Sequence, residues 1–204
     1  MTQPGSWLRF GVNHDQQILV IEPLFEEANL CRRLIADFMR ALDAHGIGSE
    51  LADLPGTGES LIDIADVRLC DWREAVKRRD PTFIASFRGG ALIDDGASRG
   101  VWRFAPETGM RIARDLKRTV LTSRDNTFFS GHALNASFLE ELEAATLPSP
   151  ANLRTVRLES DPQPADLKMP GSPLWRRAEP SEDRALAEAL AKDLSKWIEQ
   201  CAAC

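Results

Sequence analysis

The chain lacks any long apolar run, which argues against a membrane-spanning helix. Its unbroken apolar stretches are short pieces such as Ile18–Ile21, whereas a helix needs roughly 18 apolar residues to cross the hydrocarbon of a bilayer. The first six residues also lack the basic start and the apolar run of a secretory signal. We therefore predict no membrane span and a cytoplasmic location.

The chain also lacks a basic excess, because 25 lysines and arginines stand against 31 acidic residues and the net charge is −6. A dedicated nucleic-acid binder needs a basic surface that displaces counterions from phosphates, so the sequence argues against nucleic acid as a partner. Short basic clusters such as Lys77-Arg-Arg79 and Arg176-Arg177 are typical of solvated faces. At about 150 residues per domain, 204 residues predict one domain spanning 1–204.

Cysteine and histidine are scarce, with four of the first and three of the second. Cys31 and Cys70 fall inside helical patterns, where cysteine is usually a small buried apolar residue. Cys201 and Cys204 form a C-x-x-C, but the sequence has no second cysteine pair and no histidine after His132. Because a structural zinc site needs four ligands, we predict neither a metal site nor a bound cofactor.

Strand and helix patterns alternate along the chain, which predicts an α/β domain with a mostly parallel sheet and helices on both faces. The segment around 106–147 is predicted to form a small cap. Residues 160–180 contain five prolines and are predicted to be mostly irregular, with Ser181 capping the last helix. The predicted strands are Ile18–Ile21, Gly48–Asp53, Thr82–Phe87, Gly100–Ala105 and Leu153–Leu158, and the predicted helices run through 30–42, 65–76, 110–121, 133–145 and 181–197.

The turn Ser86-Phe-Arg-Gly-Gly90 links a predicted buried strand to a predicted helix. Small residues two before and two after a central residue are the pattern of the nucleophile elbow of an α/β-hydrolase, whose central side chain projects above the sheet. Here the central residue is Arg88, and a guanidinium stays protonated and cannot attack a carbonyl. A frame centred on Ser86 would put Ile84 and Arg88 at the crowded flanking positions, which disfavours Ser86 as nucleophile.

No complete catalytic triad can be assembled from the remaining residues. Such a hydrolase runs nucleophile, acid and base in chain order, yet His14 and His45 precede the elbow and His132 falls in the predicted cap. Asp161 follows the predicted strand Leu153–Leu158, where the acid is expected, but the sequence supplies no nucleophile for it to help activate. We expect no catalytic residue, and the weak candidates are Ser86, Asp161 and His132.

An arginine at the elbow could instead bind an anion. The Gly89 N–H would lie at the start of the following helix, and Arg88 would add a planar fork suited to carboxylate, phosphate or sulfate. The loop Phe25–Asn29 would form the opposite wall, and Trp175 would be a pocket wall or a loop anchor. Glu26 and Glu27, placed in that loop, could alternatively pair with Arg88 and close the site. Both alternatives remain open at the level of sequence.

Four segments together resemble one family. They are Ile21–Arg33 with its Phe-Glu-Glu-Ala-Asn stretch, the turn Asp53–Ser60, the arginine-centred elbow, and Pro170–Pro180. The chain resembles the exosortase A system-associated hydrolases, most closely the second type, in which arginine also occupies the nucleophile position. This resemblance, over roughly 15–198, implies an α/β-hydrolase fold and a role in bacterial exopolysaccharide production and exosortase-dependent protein sorting. It supplies no substrate.

The leading hypothesis is therefore a catalytically degenerate α/β-hydrolase-fold protein. It would bind a small anionic ligand, or a partner protein of the exopolysaccharide or exosortase system, at the former active site through Arg88 and Gly89. The first alternative is an active esterase or acyltransferase with Ser86 or Cys31 as an unconventional nucleophile. The second is a purely structural interaction module, which predicts an exposed apolar patch.

Overall fold

The computed structural model describes residues 8–120 and 133–202 of the chain. Within these ranges a seven-stranded sheet has the order β1-β3-β2-β4-β5-β6-β7, with β1 antiparallel to β3 and every other pair parallel. The strands are β1 (Arg9–Phe10), β2 (Gln16–Ile21), β3 (Ile47–Leu51), β4 (Phe83–Phe87), β5 (Gly100–Phe104), β6 (Leu153–Leu158) and β7 (Leu167–Met169), and the helices are α1 (Glu26–Ala44), α2 (Leu69–Lys77), α3 (Gly109–Val120), α4 (Ala136–Ala144) and α5 (Arg184–Ala202).

Both faces of the sheet are covered, as the continuous apolar runs of the central strands require. Side chains alternate between the faces with a period of two, so Phe83, Ala85 and Phe87 pack toward α1 and α5 while Ile84 packs toward the opposite layer. That opposite layer consists of α2, α3 and α4, which contribute Trp72, Leu116 and Phe138 respectively, among other residues. The two apolar clusters therefore bury the central strands between two layers of helices.

Strand order reverses at β2, because β3 pairs on one side of β2 and β4 on the other. In open α/β sheets the crevice at the carboxyl ends of the strands beside such a reversal is where ligands bind. Ile21 is in register with Ser86, and Phe87 is in register with Phe104. The segments that follow β2, β4 and β5 therefore meet at one edge of the sheet.

The five predicted strands and the five predicted helical segments are all present, with some different bounds. The helix predicted after the elbow is only a five-residue 3₁₀ turn, Arg88–Leu92, which we call the elbow turn. The proline-rich segment contains β7 and a 3₁₀ turn at Leu174–Arg176. The last helix begins at Arg184, and its cap is Asp183, whose carboxylate accepts the Leu186 N–H at 3.0 Å, rather than Ser181.

The structure describes only part of the segment around 106–147 that is predicted to form a small cap. Ala113 and Leu116 of α3 and Phe138 and Leu142 of α4 belong to the apolar cluster that covers the sheet. These helices therefore contribute to the layer that covers the sheet, and the small cap stays a prediction. The remainder of the segment, 121–132, lies outside the described residues. No helix in the described ranges is both long enough and apolar enough to span a membrane.

Candidate functional site

The elbow turn has the tight geometry that the sequence predicts. Arg88 directly follows β4 and has a φ of +53°, in the left-handed region that residues other than glycine rarely adopt. A Cβ atom on Gly90 would lie 2.5 Å from the carbonyl oxygen of Glu22, so only glycine fits two positions after Arg88. The strained turn of a nucleophile elbow is thus present with arginine at its centre.

The guanidinium of Arg88 is held by two acidic side chains and a carbonyl. Its Nε and Nη2 donate to the two carboxylate oxygens of Glu27 at 3.1 and 3.0 Å, and its Nη1 donates to the carbonyl oxygen of Ala105 at 2.9 Å. Nη2 also lies 3.3 Å from Oε2 of Glu107. Arg88 is only 7% exposed. Four of its five N–H directions therefore have internal acceptors, which fixes the side chain in place.

Trp175 packs on this guanidinium, which lies 4.4 Å from the ring centroid. The ring also packs edge to face on Phe104, at a centroid distance of 5.8 Å. A cation over the face of an indole is attracted by the ring quadrupole. Trp175 thus both anchors its loop against the sheet and forms part of the cleft wall, so the two predicted roles coincide.

A cleft of about 620 Å³ opens at the carboxyl ends of β4, β5 and β6. Four arginines and two acids line it, whereas acids outnumber bases in the chain as a whole. Arg176 is exposed, and its side chain has no hydrogen-bond or ion-pair partner in the part of the chain that the structure describes. The charged residues of the cleft are Arg88, Arg111, Arg157, Arg176, Glu107 and Asp161.

Arg157 and Asp161 form an ion pair inside the cleft. Nη1 of Arg157 donates to Asp161 at 2.7 Å, and Nη2 donates to the carbonyl oxygen of Pro106 at 3.1 Å. Burial alone would raise the pKa of Asp161, but the hydrogen bond from the Gln163 N–H and the Arg157 guanidinium outweigh it and lower that pKa. Nε of Arg157 is buried and has no acceptor among the described residues. Asp161 is thus bound to arginine, and it contacts no histidine among the described residues.

No residue of the predicted opposite wall, Phe25–Asn29, lines the cleft, and one of them contacts the Arg88 guanidinium. Glu26 and Glu27 lie in the first turn of α1 and not in a loop, and only Glu27 reaches Arg88. Glu26 is exposed, and Asn29 lines a separate cavity of about 200 Å³. The α1 helix begins earlier than predicted because Phe25 turns the chain with a φ of +58°. Successive residues of the segment therefore point in different directions around the helix.

Gly89 is buried and does not line the cleft. A Cβ atom at this position would lie 2.6 Å from Cδ1 of Ile112 and 3.1 Å from Cγ of Leu24. The elbow turn that it belongs to has only five residues, so the summed dipole of its few peptide units is small. Gly89 is therefore outside the lining of the cleft, and the anion contact at its N–H stays a prediction.

Ser86 is part of a buried polar network and not of the cleft. Its side chain is fully buried and donates to Oδ2 of Asp94 at 2.6 Å. Arg103 binds the same carboxylate through Nε and Nη2 at 2.8 and 2.7 Å. Burial raises the pKa of Asp94, while Arg103 and Ser86 oppose that rise. The hydroxyl group of Ser86 thus connects β4 to the loop after the elbow turn and is inaccessible to a substrate.

Cys31 is 1% exposed on the face of α1 that packs on the sheet. Burial, with a smaller contribution from Glu27, raises the pKa of its thiol to about 12. The thiolate is the nucleophilic form of cysteine, so Cys31 is unreactive at neutral pH.

We expect iodoacetamide to modify Cys70 in the native protein at pH 8 and to modify Cys31 only after denaturation. Cys70 is exposed, so it is the internal control in the same sample, and peptide mass spectrometry measures both sites. Rapid native alkylation of Cys31 would contradict the burial of its thiol and would revive the alternative in which it is a nucleophile.

Each described histidine contacts an acidic side chain outside the elbow turn. Nε2 of His14 contacts Asp43 at 2.8 Å, and Nε2 of His45 contacts Glu188 at 3.0 Å. Neither histidine lines the cleft. His132 lies outside the described residues, so its candidacy as a base stays a prediction. Cys204 also lies outside them, so the prediction that the C-x-x-C holds no metal is likewise untested. The described residues include no group of three or more His, Cys, Asp or Glu side chains that could hold a metal ion.

Sequence reasoning missed Glu107, Arg111, Arg157 and Arg176 as cleft residues. Glu107 stands three residues after the end of β5, and its backbone N–H donates to the Arg88 carbonyl oxygen at 3.2 Å. A polar residue just beyond a parallel strand is a recognisable signal, because the carboxyl ends of neighbouring strands meet at one edge. Arg157 is inside a strand and Arg111 is on a helix, so no comparable signal marked them.

No family model matches this sequence, and no curated protein matches it significantly. Solved structures do. Est1E from Butyrivibrio proteoclasticus, solved with ferulic acid bound, is 14% identical, with 95% of each chain covered and a TM-score of 0.64. Alpha/beta hydrolase domain-containing protein 10 from mouse is 12% identical, with 98% of this chain and 97% of that chain covered and a TM-score of 0.63.

A thioesterase domain from the curacin biosynthetic pathway is 11% identical, with 97% of each chain covered and a TM-score of 0.53. Identities this low establish the fold and not the activity. The sheet order, the strained elbow after β4 and these neighbours agree. This chain has the α/β-hydrolase fold.

Proposed function

We propose that this protein binds an anionic ligand in the cleft above β4, β5 and β6 and does not hydrolyse it. The observation that carries the proposal is Arg88, a permanently protonated side chain at the nucleophile position that Glu27 holds in a bidentate ion pair. An attacking oxygen or sulfur atom at this position is a requirement of the hydrolases of this fold, and arginine supplies neither.

The unconventional nucleophiles do not offset this loss. Ser86 is bonded to Asp94 beneath the elbow, and the thiol of Cys31 is buried and protonated. The described part of the chain places no imidazole beside Arg88. A working esterase or acyltransferase would need at least one accessible nucleophile and a base to activate it. Binding without turnover is therefore favoured over the enzymatic alternative.

The arginines of the cleft support an anion as the ligand. Arg176 has no internal partner among the described residues, and Arg157 has one buried N–H without an acceptor. Planar guanidinium groups are suited to the oxygens of carboxylate, phosphate and sulfate. Glu27 neutralises most of the charge of Arg88, so we revise the expected contacts. Arg176 and Arg157 attract the ligand, and Arg88 at the floor of the cleft can offer it the N–H that is directed to Glu107.

The biological setting is the finer part of the proposal. The resemblance to the second type of exosortase A system-associated hydrolase suggests that the ligand, or a protein partner, belongs to exopolysaccharide production or exosortase-dependent sorting, with the protein in the cytoplasm. Two adjacent exposed apolar side chains, Leu61 and Ile62, lie on the loop after β3 and are available to such a partner.

Replacement of Arg176 by alanine is expected to weaken anion binding about tenfold or more, because a charge-assisted hydrogen bond contributes roughly 1.5–3 kcal/mol and 1.4 kcal/mol is a factor of ten. The ligands to test are citrate, phosphorylated sugars and uronic acids, and the measurement is calorimetry after a thermal-shift screen.

Arg177→Ala is the matched control, because Arg177 is the exposed neighbour and donates to Ser172 outside the cleft. It should bind as the wild type does. No binding by the wild type to any of these anions, or equal losses in the two variants, would contradict the proposed function.

A further inference from the structure

A carboxylate of the protein itself lies between two arginines of the cleft. Oε2 of Glu107 is 3.3 Å from Nη2 of Arg88 and 3.4 Å from Nη1 of Arg111. Oε1 of the same carboxylate accepts the backbone N–H of Thr108 at 3.0 Å. Only 13% of the Glu107 side chain is exposed. Donors from the elbow turn, from α3 and from the residue before α3 thus surround one carboxylate.

Two of these donors are held in place without help from the Glu107 carboxylate. Arg88 is fixed by Glu27, by the carbonyl oxygen of Ala105 and by the face of Trp175. The Thr108 N–H belongs to a backbone anchored where the Glu107 N–H donates to the Arg88 carbonyl oxygen. Of the three donors, only the Arg111 side chain is half exposed and lacks such anchoring contacts among the described residues. Removal of the Glu107 side chain therefore leaves a largely preformed set of donors.

The arrangement fits a planar group with two oxygens. One oxygen accepts from the guanidinium groups of two cleft arginines, and the other accepts from a single backbone N–H. This pattern matches the geometry of a carboxylate. A tetrahedral phosphate or sulfate has further charged oxygens. The carboxylate of Glu27 accepts from the same nitrogen of Arg88, Nη2, and therefore lies close to the subsite. Those additional oxygens would face a like charge, which disfavours the tetrahedral anions.

We propose that the cleft contains a carboxylate-binding subsite formed by Arg88, Arg111 and the Thr108 N–H, and that Glu107 occupies it as an internal ligand. This inference rests on the proposed function for its location and names the ligand's chemical class. An external carboxylate must displace a tethered competitor whose effective concentration is on the order of millimolar or higher. The ligand therefore needs a second group that reaches Arg176 or Arg157.

The test is chemical rescue of Glu107→Ala. Acetate should raise the melting temperature of this variant by about 2–4 °C, the shift that roughly 1 kcal/mol of stabilisation produces in a protein of this size. Acetamide, the neutral analogue of the same shape, should give no shift at matched ionic strength. Wild type should not respond to acetate, because Glu107 fills the subsite.

Glu107→Gln is the matched control variant. Its side chain still fills the space that acetate would take, so it should be unresponsive to acetate although it too has lost the charge. Equal shifts with acetate and acetamide, or an acetate shift in Glu107→Gln as large as in Glu107→Ala, would overturn the subsite. A larger shift with inorganic phosphate than with acetate would overturn its selectivity.

If Glu107→Ala does not accumulate in folded form, its refolding yield in acetate against acetamide replaces the melting measurement, and equal yields overturn the proposal. The two proposals fail separately. Rescue by acetate together with no anion binding by wild type would support the subsite and reject the proposed function. Anion binding by wild type without rescue would do the reverse.

Discussion

Replacement of Asp94 by alanine is expected to destabilise the protein by about 3–5 kcal/mol, because it leaves the Arg103 guanidinium buried without its partner. Asp94 is fully buried, and Arg103 is 2% exposed and makes two hydrogen bonds to it. The loss is a large share of the roughly 5–15 kcal/mol that stabilises a natural domain. Urea unfolding followed by circular dichroism measures it.

Asp95→Ala is the matched control at the next position. Asp95 is half exposed and pairs with an exposed lysine, Lys77, at 3.0 Å, an interaction that contributes about 0.2–1 kcal/mol. In the double variant Asp94→Ala with Arg103→Met, the unpaired charge is gone and much of the stability should return. Similar losses in Asp94→Ala and Asp95→Ala would show that the buried network below the elbow does not hold the fold.

Replacement of Arg88 by serine is expected to destabilise the protein and to produce no hydrolase. Glu27 and Glu107 would lose their shared partner, at a cost of about 2–3 kcal/mol, below the value for a fully buried pair because the Glu27 side chain is 29% exposed. The new hydroxyl would stand at the nucleophile position, but no described histidine could take its proton. Urea unfolding measures the first effect, and labelling by a fluorophosphonate probe measures the second.

Arg88→Lys is the matched control, since it keeps the charge and loses the bidentate geometry. Its stability should fall between those of wild type and Arg88→Ser. Labelling of Arg88→Ser that disappears when His132 is also replaced would contradict the prediction and would identify His132 as a base. Labelling of the wild type at Ser86 would instead establish the enzymatic alternative.

The elbow could be predicted from sequence because its constraints are local. A strand that is buried on both faces reads as a continuous apolar run, and the crowding of the turn demands small residues at the positions of Ser86 and Gly90. Both features appear within eight consecutive residues. The positions of the central strands could be predicted for the same reason, although some of their bounds differ.

The contacts of the cleft could not be predicted in this way because they join distant segments. Glu27 is 61 positions from Arg88, and Trp175 is 87 positions away. Sequence spacing placed Glu26 and Glu27 together in a loop as equal candidates, whereas helical rotation directs only Glu27 to the guanidinium. Whether Arg88 pairs with an acidic residue of the protein or is free to bind a ligand depends on that rotation.

The sequence by itself determined the alternation of strands and helices, the strained turn after β4 and the arginine at its centre, because each depends on residues that are neighbours in the chain. Only the tertiary structure decided which carboxylates meet that arginine, that Ser86 and Cys31 are sequestered, and that Glu107 sits between Arg88 and Arg111. The physical reason is that burial and charge pairing are set by how the elements pack, and half a turn of a helix or one step along a strand reverses the direction in which a side chain points.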